Sequence, residues 1–203
     1  MNGANDGERT LDEAVRAIRA GGVVALPTET LYGLAVDPFC EDAVARVFAV
    51  KGRSDARALP LVAADAEQVA ARIGVLPPMA ERLAARFWPG PLTILIAAPS
   101  ALAPAVSAGT GKVGVRVPAH AVARALCRAA GFPLTATSAN LSGAPPTTDP
   151  EVLERALGDR IDVLIDAGTT PGGPPSTIVD ATGSVPTLVR AGAIAWEEVL
   201  DGL

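Results

Sequence analysis

The sequence predicts an α/β domain built around a large sheet that is covered by helices. Short apolar runs rich in β-branched residues are interleaved with helical patterns along most of the 203 residues, and this alternation is typical of α/β folds. Hydrophobic residues make up 49% of the chain but aromatic residues only 3%, so we expect a core of Val, Leu, Ile and Ala. The length suits a single domain over residues 1–203, with residues 1–8 expected to be flexible.

Six helices are predicted from apolar periodicity and from helix-end signals. The first begins at a capping box formed by Thr10 and Glu13 and ends at the glycine pair 21–22. The last has Asp149 as its N-cap, a Pro in its first turn and a Gly just past its end. Between them, helices are expected from Asp42 to the basic cluster at 51–53, and near 65–73, 77–87 and 119–130.

Eight apolar runs are strand candidates, because they are short, rich in β-branched residues and bounded by turn residues. They span residues 23–27, 59–63, 92–98, 113–117, 133–137, 162–166, 176–180 and 187–190. The final third has strands without helices between them, so part of the sheet is expected to be antiparallel. The segment 169–175, TTPGGPP, is predicted to be a loop.

Charge and cysteine usage exclude several classes of protein. A net charge of −5 argues against a protein that coats nucleic acid, because such binding needs many cationic contacts to phosphates. The first ten residues lack the features of a secretory signal, and Pro and Ser interrupt the apolar stretch at 92–106 before it could span a bilayer. Cys40 and Cys127 stand apart and are interpreted as reduced thiols of a cytoplasmic protein.

Two segments in the first third combine polar side chains with the end of a strand or helix. In PTETLYG (27–33), Thr28 and Thr30 could hold a small polar ligand or could instead satisfy the backbone of a turn. In KGR (51–53), Lys51 and Arg53 could both reach a polyphosphate, or they could form a solvated helix end. The sequence has no Walker motif, so a nucleotide site here would be of another kind.

Further candidates lie in the second half of the chain. TATSANLSG (135–143) presents uncharged donors and acceptors that suit a base, a ribose or a phosphate, although turns of this composition are often structural. Arg116 and Arg190 follow apolar strands and should face an acid, a ligand anion or solvent. His120 is the only histidine, which argues against both a Ser-His-Asp triad and a zinc site with several His ligands.

Taken in order, these motifs resemble the YrdC-like family of threonylcarbamoyl-AMP synthases. The resemblance runs from GGVVALPTETLYGLAVDP through FAVKGR, FWPGPLTILI, GVRVPAH, TATSANLSG and PSTIVD to LVRAGAI, and so covers nearly the whole chain. It implies a twisted mixed sheet flanked by helices, with a large concave ligand cavity, in the short, single-domain form of the family. The chain departs from the common pattern after KGR, where Ser54 stands in place of a Pro and Arg57 could take over a polar contact.

The resemblance also implies an activity. Such enzymes condense L-threonine, bicarbonate and ATP to threonylcarbamoyl-AMP and pyrophosphate, and a downstream threonylcarbamoyl transferase then modifies tRNA next to the anticodon. Mg²⁺ would accompany ATP, held mainly by phosphates and water. Direct nucleic-acid binding is expected to be weak or absent, and no membrane is involved.

The same resemblance assigns roles to individual residues. The assigned threonine-binding residues are Thr28, Thr30, Arg116 and Ser176; the ATP-binding residues are Lys51, Arg53, Ser138, Asn140 and Arg190; Lys51 and Arg53 would also be catalytic, and none is a metal ligand. Two alternatives stay open: an RNA-binding or ribosome-associated factor that uses the same cavity without catalysis, and a carbamoyltransferase-like domain.

Overall fold

The computed structural model describes residues 3–52 and 57–203, and this part of the chain forms ten strands and eight α-helices. The helices are α1 (Gly3–Arg19), α2 (Glu41–Val50), α3 (Ala66–Arg72), α4 (Pro78–Phe87), α5 (Pro104–Ser107), α6 (Ala121–Ala130), α7 (Pro150–Leu157) and α8 (Trp196–Leu200). The strands are β1 (Val24–Pro27), β2 (Tyr32–Ala35), β3 (Leu61–Val62), β4 (Leu92–Ala97), β5 (Lys112–Arg116), β6 (Leu134–Thr135), β7 (Thr137–Ser138), β8 (Val163–Leu164), β9 (Thr177–Asp180) and β10 (Thr187–Arg190).

The strands form two mixed sheets rather than the single large sheet that the sequence predicts. A four-stranded sheet has the order β7-β2-β1-β8, and a six-stranded sheet has the order β10-β9-β4-β5-β3-β6. In the first, β1 pairs antiparallel to β2 and parallel to β8; in the second, β4 pairs antiparallel to β5 and parallel to β9. The predicted class, a mixed α/β fold with helices around the strands, is confirmed.

The division into two sheets occurs within a segment predicted as one strand, 133–137. Its first half, β6, pairs with β3 of the larger sheet, whereas β7 pairs with β2 of the smaller sheet. Ala136 lies between them, and its N–H donates to the carbonyl of Pro60 at 2.8 Å. A pattern of apolar residues does not reveal which neighbour each half of such a segment will pair with.

Other differences from the predicted elements have local causes. Helix α1 begins at Gly3, so the Thr10–Glu13 pair lies inside the helix instead of capping it. The spacing of a capping box also occurs on the face of a continuous helix, where residues three apart are neighbours. Helices α5 and α8 contain only four and five residues, too few to show a helical period.

The two sheets share one hydrophobic core. Leu34 of β2, Leu61 of β3 and Ile94 of β4 are fully buried in it, with helices α2 and α4 packed against the same cluster. A second cluster lies between α1, α6 and β1, where Ile18 and Leu126 are buried. In the described ranges, no helix is long and apolar enough to cross a membrane.

Candidate functional site

The turn between β1 and β2 carries the first predicted motif. Thr28 is buried, and its Oγ1 donates to the Leu31 carbonyl at 2.7 Å while accepting from the backbone N–H of Thr30 and of Leu31 at 3.3 and 3.2 Å. The two threonine hydroxyls are themselves 3.1 Å apart. The hydroxyl of Thr28 therefore satisfies turn backbone, which was the structural alternative for this motif.

The predicted loop 169–175 packs on this turn. The carbonyl of Thr30 accepts from the Gly172 N–H and from the Thr170 hydroxyl, both at 2.9 Å. The hydroxyl of Tyr32 donates to the Gly168 carbonyl at 2.8 Å, and burial raises its pKa. These hydrogen bonds hold the turn against the segment 168–172, which precedes Ser176 in the chain.

Glu29, at the tip of the turn, reaches Arg116 at the end of β5. One carboxylate oxygen of Glu29 lies 3.6 Å from Nη1 of Arg116, and their side chains are 18% and 10% exposed. The contact joins a turn of the smaller sheet to a strand end of the larger one. The prediction that a buried Arg116 faces an acid or a ligand anion is met here by an acid.

This contact leaves buried polar atoms without hydrogen bonds. Both carboxylate oxygens of Glu29 and Nδ1 of His120 are buried and have no hydrogen-bond partner within the described ranges. Burial lowers the pKa of His120, and the nearby charge of Glu29 opposes that shift. Buried polar groups in folded proteins are almost always paired, so an unpaired group at a cluster of charges indicates a place for a ligand.

The charge around Arg116 is unevenly balanced. Burial lowers its pKa, the negative charge of Glu29 opposes this, and the positive charge of Arg190 lowers the pKa further. The two positive charges of Arg116 and Arg190 are therefore accompanied by the one negative charge of Glu29. Such an arrangement favours the binding of an additional anion.

Arg190 and Ser176 are joined by hydrogen bonds. Nη2 of Arg190 donates to the carbonyl of Ser176 at 2.7 Å and to its hydroxyl at 3.1 Å. The hydroxyl of Ser176 lies 2.8 Å from that of Thr93, which is buried in β4. Burial also lowers the pKa of Arg190.

Lys51, Ser138 and Asn140 form a second cluster beside β2. The ammonium group of Lys51, at the C-terminal end of α2, donates to the carbonyls of Ser138 and Asn140 at 2.6 and 3.0 Å and to Oδ1 of Asn140 at 3.2 Å. The Ser138 hydroxyl donates to the same Oδ1 at 2.6 Å. The alternative that Lys51 lies on a solvated helix end is therefore wrong. Its side chain is buried and its hydrogen bonds hold the 138–140 segment.

The two clusters account for eight of the nine predicted site residues. Glu29 joins the turn at Thr28 and Thr30 to Arg116. Arg190 bonds to Ser176, and its charge acts on Arg116. Lys51, Ser138 and Asn140 form the separate cluster, and Arg53 and Ser54 lie outside the described residues. Glu29 and Thr93 were not predicted as site residues, and no role at the site was predicted for His120. Glu29 is the acid within PTETLYG, so the requirement that a buried Arg116 be paired was the signal that could have found it.

A cavity of about 370 Å³ lies elsewhere, between α3, α4 and α6. Asp65, Trp88 and Arg124 are among its lining residues, and none of its lining residues was predicted as a site residue. The large concave cavity expected around the predicted site residues stays a prediction.

Fold and site together define a mixed α/β protein in which two sheets meet at buried cationic, acidic and hydroxyl side chains. Sites of this composition bind small charged ligands. Residues 16–192 match the family model of Sua5, YciO and YrdC proteins, which is described as "Telomere recombination". The chain therefore belongs to the Sua5/YciO/YrdC family, as the YrdC-like resemblance predicted.

Relatives of known name are similar over most of the chain. A protein of Bacillus subtilis (strain 168) named threonylcarbamoyl-AMP synthase is 40% identical over 188 residues, which is 92% of this chain and 54% of the relative. A protein of the same name from Stenotrophomonas maltophilia (strain K279a) is 40% identical over 176 residues, covering 86% of this chain and 95% of the relative.

A solved structure described as P. abyssi Sua5 complexed with L-threonine is also similar. It is 37% identical and superposes with a TM-score of 0.89, covering 95% of this chain and 57% of that one. The chain thus spans little more than half the length of the B. subtilis and P. abyssi relatives and nearly all of the S. maltophilia relative.

Proposed function

We propose that this protein condenses L-threonine, bicarbonate and ATP to threonylcarbamoyl-AMP and pyrophosphate. The observation that carries the proposal is the TM-score of 0.89 with a Sua5 structure that contains L-threonine. The name threonylcarbamoyl-AMP synthase, shared by relatives 40% identical to this chain, supports the same activity. The buried guanidinium group of Arg116, with the charge of Arg190 near it, suits a ligand with an anionic end.

The substrates would divide between the two clusters. Arg116 would bind the threonine carboxylate as a bidentate partner, with Ser176 and the turn at Thr28 closing the threonine pocket. Arg190 would bind a phosphate or the ribose, while the 138–140 segment held by Lys51 would present Ser138 and Asn140 to the nucleotide. Arg53 would join Lys51 in contacting the phosphates.

The reaction needs no protein nucleophile. The ammonium group of threonine loses a proton to solvent, and the resulting amine nitrogen bonds to the carbon of bicarbonate with loss of one water, which gives a carbamate. A carbamate oxygen then bonds to the α-phosphorus of ATP, and the bond to pyrophosphate breaks. The side chains would contribute by positioning the reactants and by neutralising the charge on the phosphates.

Mg²⁺ would enter with ATP. Within residues 3–52 and 57–203 no group of three or more His, Cys, Asp or Glu side chains could hold a metal ion, so the donors available to the ion would be phosphate oxygens and water, which Mg²⁺ prefers. Bound there, it would draw charge from the phosphates during displacement. Transfer of the product to tRNA would be the task of a downstream threonylcarbamoyl transferase, and we propose that both reactions take place in the cytoplasm.

A pyrophosphate-release assay tests the proposal. Release should require ATP, L-threonine and bicarbonate together, and L-serine should be the poorer substrate by roughly 10- to 200-fold, the usual discrimination for one methyl group. Mass spectrometry should identify threonylcarbamoyl-AMP in the same reaction. Comparable turnover with many amino acids, or none with threonine, would remove the proposed activity.

A further inference from the structure

The carboxylate of Glu29 is the least satisfied charged group at the site. Both of its oxygens are buried and neither accepts a hydrogen bond from a residue that the structure describes. Its contact with Arg116 is long, at 3.6 Å, whereas charge-assisted N–H···O bonds are usually about 2.7–2.9 Å. The ion pairs Lys112–Asp180 and Arg46–Asp162 of the same protein are closed at 2.6 and 2.8 Å.

An ion pair that only stabilises the fold would be expected to have a shorter separation and further hydrogen bonds than the Glu29–Arg116 pair has. Burial of two charges is offset only when the geometry is close and further hydrogen bonds satisfy the remaining atoms. Among the described residues, however, Glu29 receives no hydrogen bond, and no hydrogen bond from the guanidinium group of Arg116 accompanies the ion pair. The pair therefore offers an unused acceptor and unused donors side by side.

We propose that Glu29 accepts the α-ammonium group of the amino-acid substrate while Arg116 binds its carboxylate. A zwitterionic α-amino acid carries these two groups on one carbon atom, so it can satisfy both side chains without separating them. The assignment rests on the proposed function, since it names the residue that binds the substrate's ammonium group before that reaction. Glu29 would thus be a specificity-determining residue that selects α-amino acids over other carboxylates.

The charges near the pair agree with this role. Arg190 adds a second positive charge close to Arg116, and the imidazole of His120, whose pKa burial lowers, lies near Glu29. A carboxylate ligand alone would gain from both guanidinium groups but would leave the carboxylate of Glu29 unpaired. A ligand that also carries an ammonium group corrects that imbalance.

The test compares two ligands that differ only in the group on the α-carbon, which is an amine in one and a hydroxyl in the other. L-Threonine and its 2,3-dihydroxybutanoate analogue, in which a hydroxyl replaces the amine, are titrated by calorimetry into the full chain and its Glu29→Gln variant. Glu151→Gln is the control, because it makes the same change in the exposed ion pair with Arg155. Circular dichroism establishes that each variant is folded.

The wild-type protein and the control should prefer threonine by on the order of 10- to 100-fold, the usual effect of one hydrogen bond to a charged group. Glu29→Gln should reduce this preference to less than about threefold. Glu29→Asp, which keeps the charge, should retain a clear preference with weaker binding and serves if the Gln variant does not fold.

Each other result has a distinct meaning. If Glu29→Gln weakens both ligands by the same factor, Glu29 is only a counter-ion of Arg116 and the inference is wrong, while the proposed function stands. A folded Glu29→Asp variant that has lost the preference contradicts the inference equally. If the wild-type protein binds no threonine in the presence or absence of ATP, the proposed function fails and the inference fails with it.

Discussion

Replacement of Lys51 by Met removes the ammonium group but keeps an unbranched side chain in nearly the same volume. Lys51 is only 4% exposed, and its ammonium donates to three oxygen atoms of Ser138 and Asn140. The change should therefore destabilise the protein by removing these three hydrogen bonds. It also tests whether Lys51 acts through the 138–140 segment or directly on a phosphate.

The magnitude follows from the environment of the acceptors. A hydrogen bond from a charged group contributes about 1.5–3 kcal/mol. Ser138 is exposed and Asn140 half-buried, so water can hydrate part of what the change leaves, and about 2–3 kcal/mol is the reasonable expectation. With a urea dependence of about 2 kcal/mol per M, the unfolding midpoint should fall by about 1–1.5 M.

Urea unfolding followed by circular dichroism measures this shift. Lys112→Met is the matched control, since Lys112 donates to Asp180 at 2.6 Å with 40% of its side chain exposed. Exposed pairs of this kind contribute at most about 1 kcal/mol, so the control midpoint should fall by no more than about 0.5 M. Equal midpoints for the two variants would refute the argument that the Lys51 hydrogen bonds hold the segment.

The rate of the proposed reaction in a Lys51 variant distinguishes a role in holding the 138–140 segment from a direct role on the phosphates. If Lys51 also stabilises charge on the departing pyrophosphate, Lys51→Ala should lower kcat by on the order of 10²-fold while threonine affinity changes little. Steady-state rates are measured well below the denaturation midpoint of the variant. Unchanged kcat in a folded variant would leave Lys51 with a structural role alone.

Three further predictions use other groups of the site and core. Arg116→Ala should mainly weaken threonine binding, and Arg116→Lys should not restore it because an ammonium lacks the planar fork; calorimetry showing loss of ATP binding with threonine binding intact would contradict this. His120, the only histidine, should titrate by NMR with a pKa below the usual histidine value of about 6.5 and lower still in Glu29→Gln. Because its folded-state pKa is depressed, its contribution to stability is present above about pH 6.5 and is lost as the pH falls through the folded-state value, so titration at or above 6.5 would contradict the assigned burial. Burial raises the pKa of Cys127 to about 12, so a thiol reagent at neutral pH should label the half-buried Cys40 first, as peptide mass spectrometry would report; prior labelling of Cys127 would be inconsistent with the packing of α6.

The sequence was most informative where an element buries a regular apolar pattern. Helix α4 and strand β4 lie close to their predicted ranges, since burial of one face leaves a periodic signal. The two sheets could not be predicted, because β6 and β7 are two residues each and their partners are decided by tertiary packing. Periodicity also failed for α5 and α8, which are shorter than two helical turns.

At the site, the sequence identified segments better than it identified the acting groups. Arg116 was singled out because a buried guanidinium requires a partner, but the partner, Glu29, is distant in sequence and belongs to another sheet. Such a contact depends on how two sheets are placed, which spacing along the chain does not encode. Thr93 was missed for the same reason, since it appears in sequence as one polar residue within an apolar strand.

The hydroxyl-rich motifs use their hydrogen bonds mainly to hold the backbone of the site in place. Thr28 uses its hydroxyl to close its own turn, and Ser138 and Asn140 bond to each other and to Lys51. A side chain whose hydrogen bonds are already formed holds the backbone in place and costs no reorganisation when a ligand binds. Among the residues that the structure describes, Glu29 and Arg116 are charged groups with unused capacity, beside the unpaired Nδ1 of His120. Charged groups that are poorly paired before binding gain most when a zwitterion arrives, because the alternative is an uncompensated buried charge. Under the proposed function, the neutral residues of PTETLYG would position Glu29, and the pair of Glu29 and Arg116 would select the substrate.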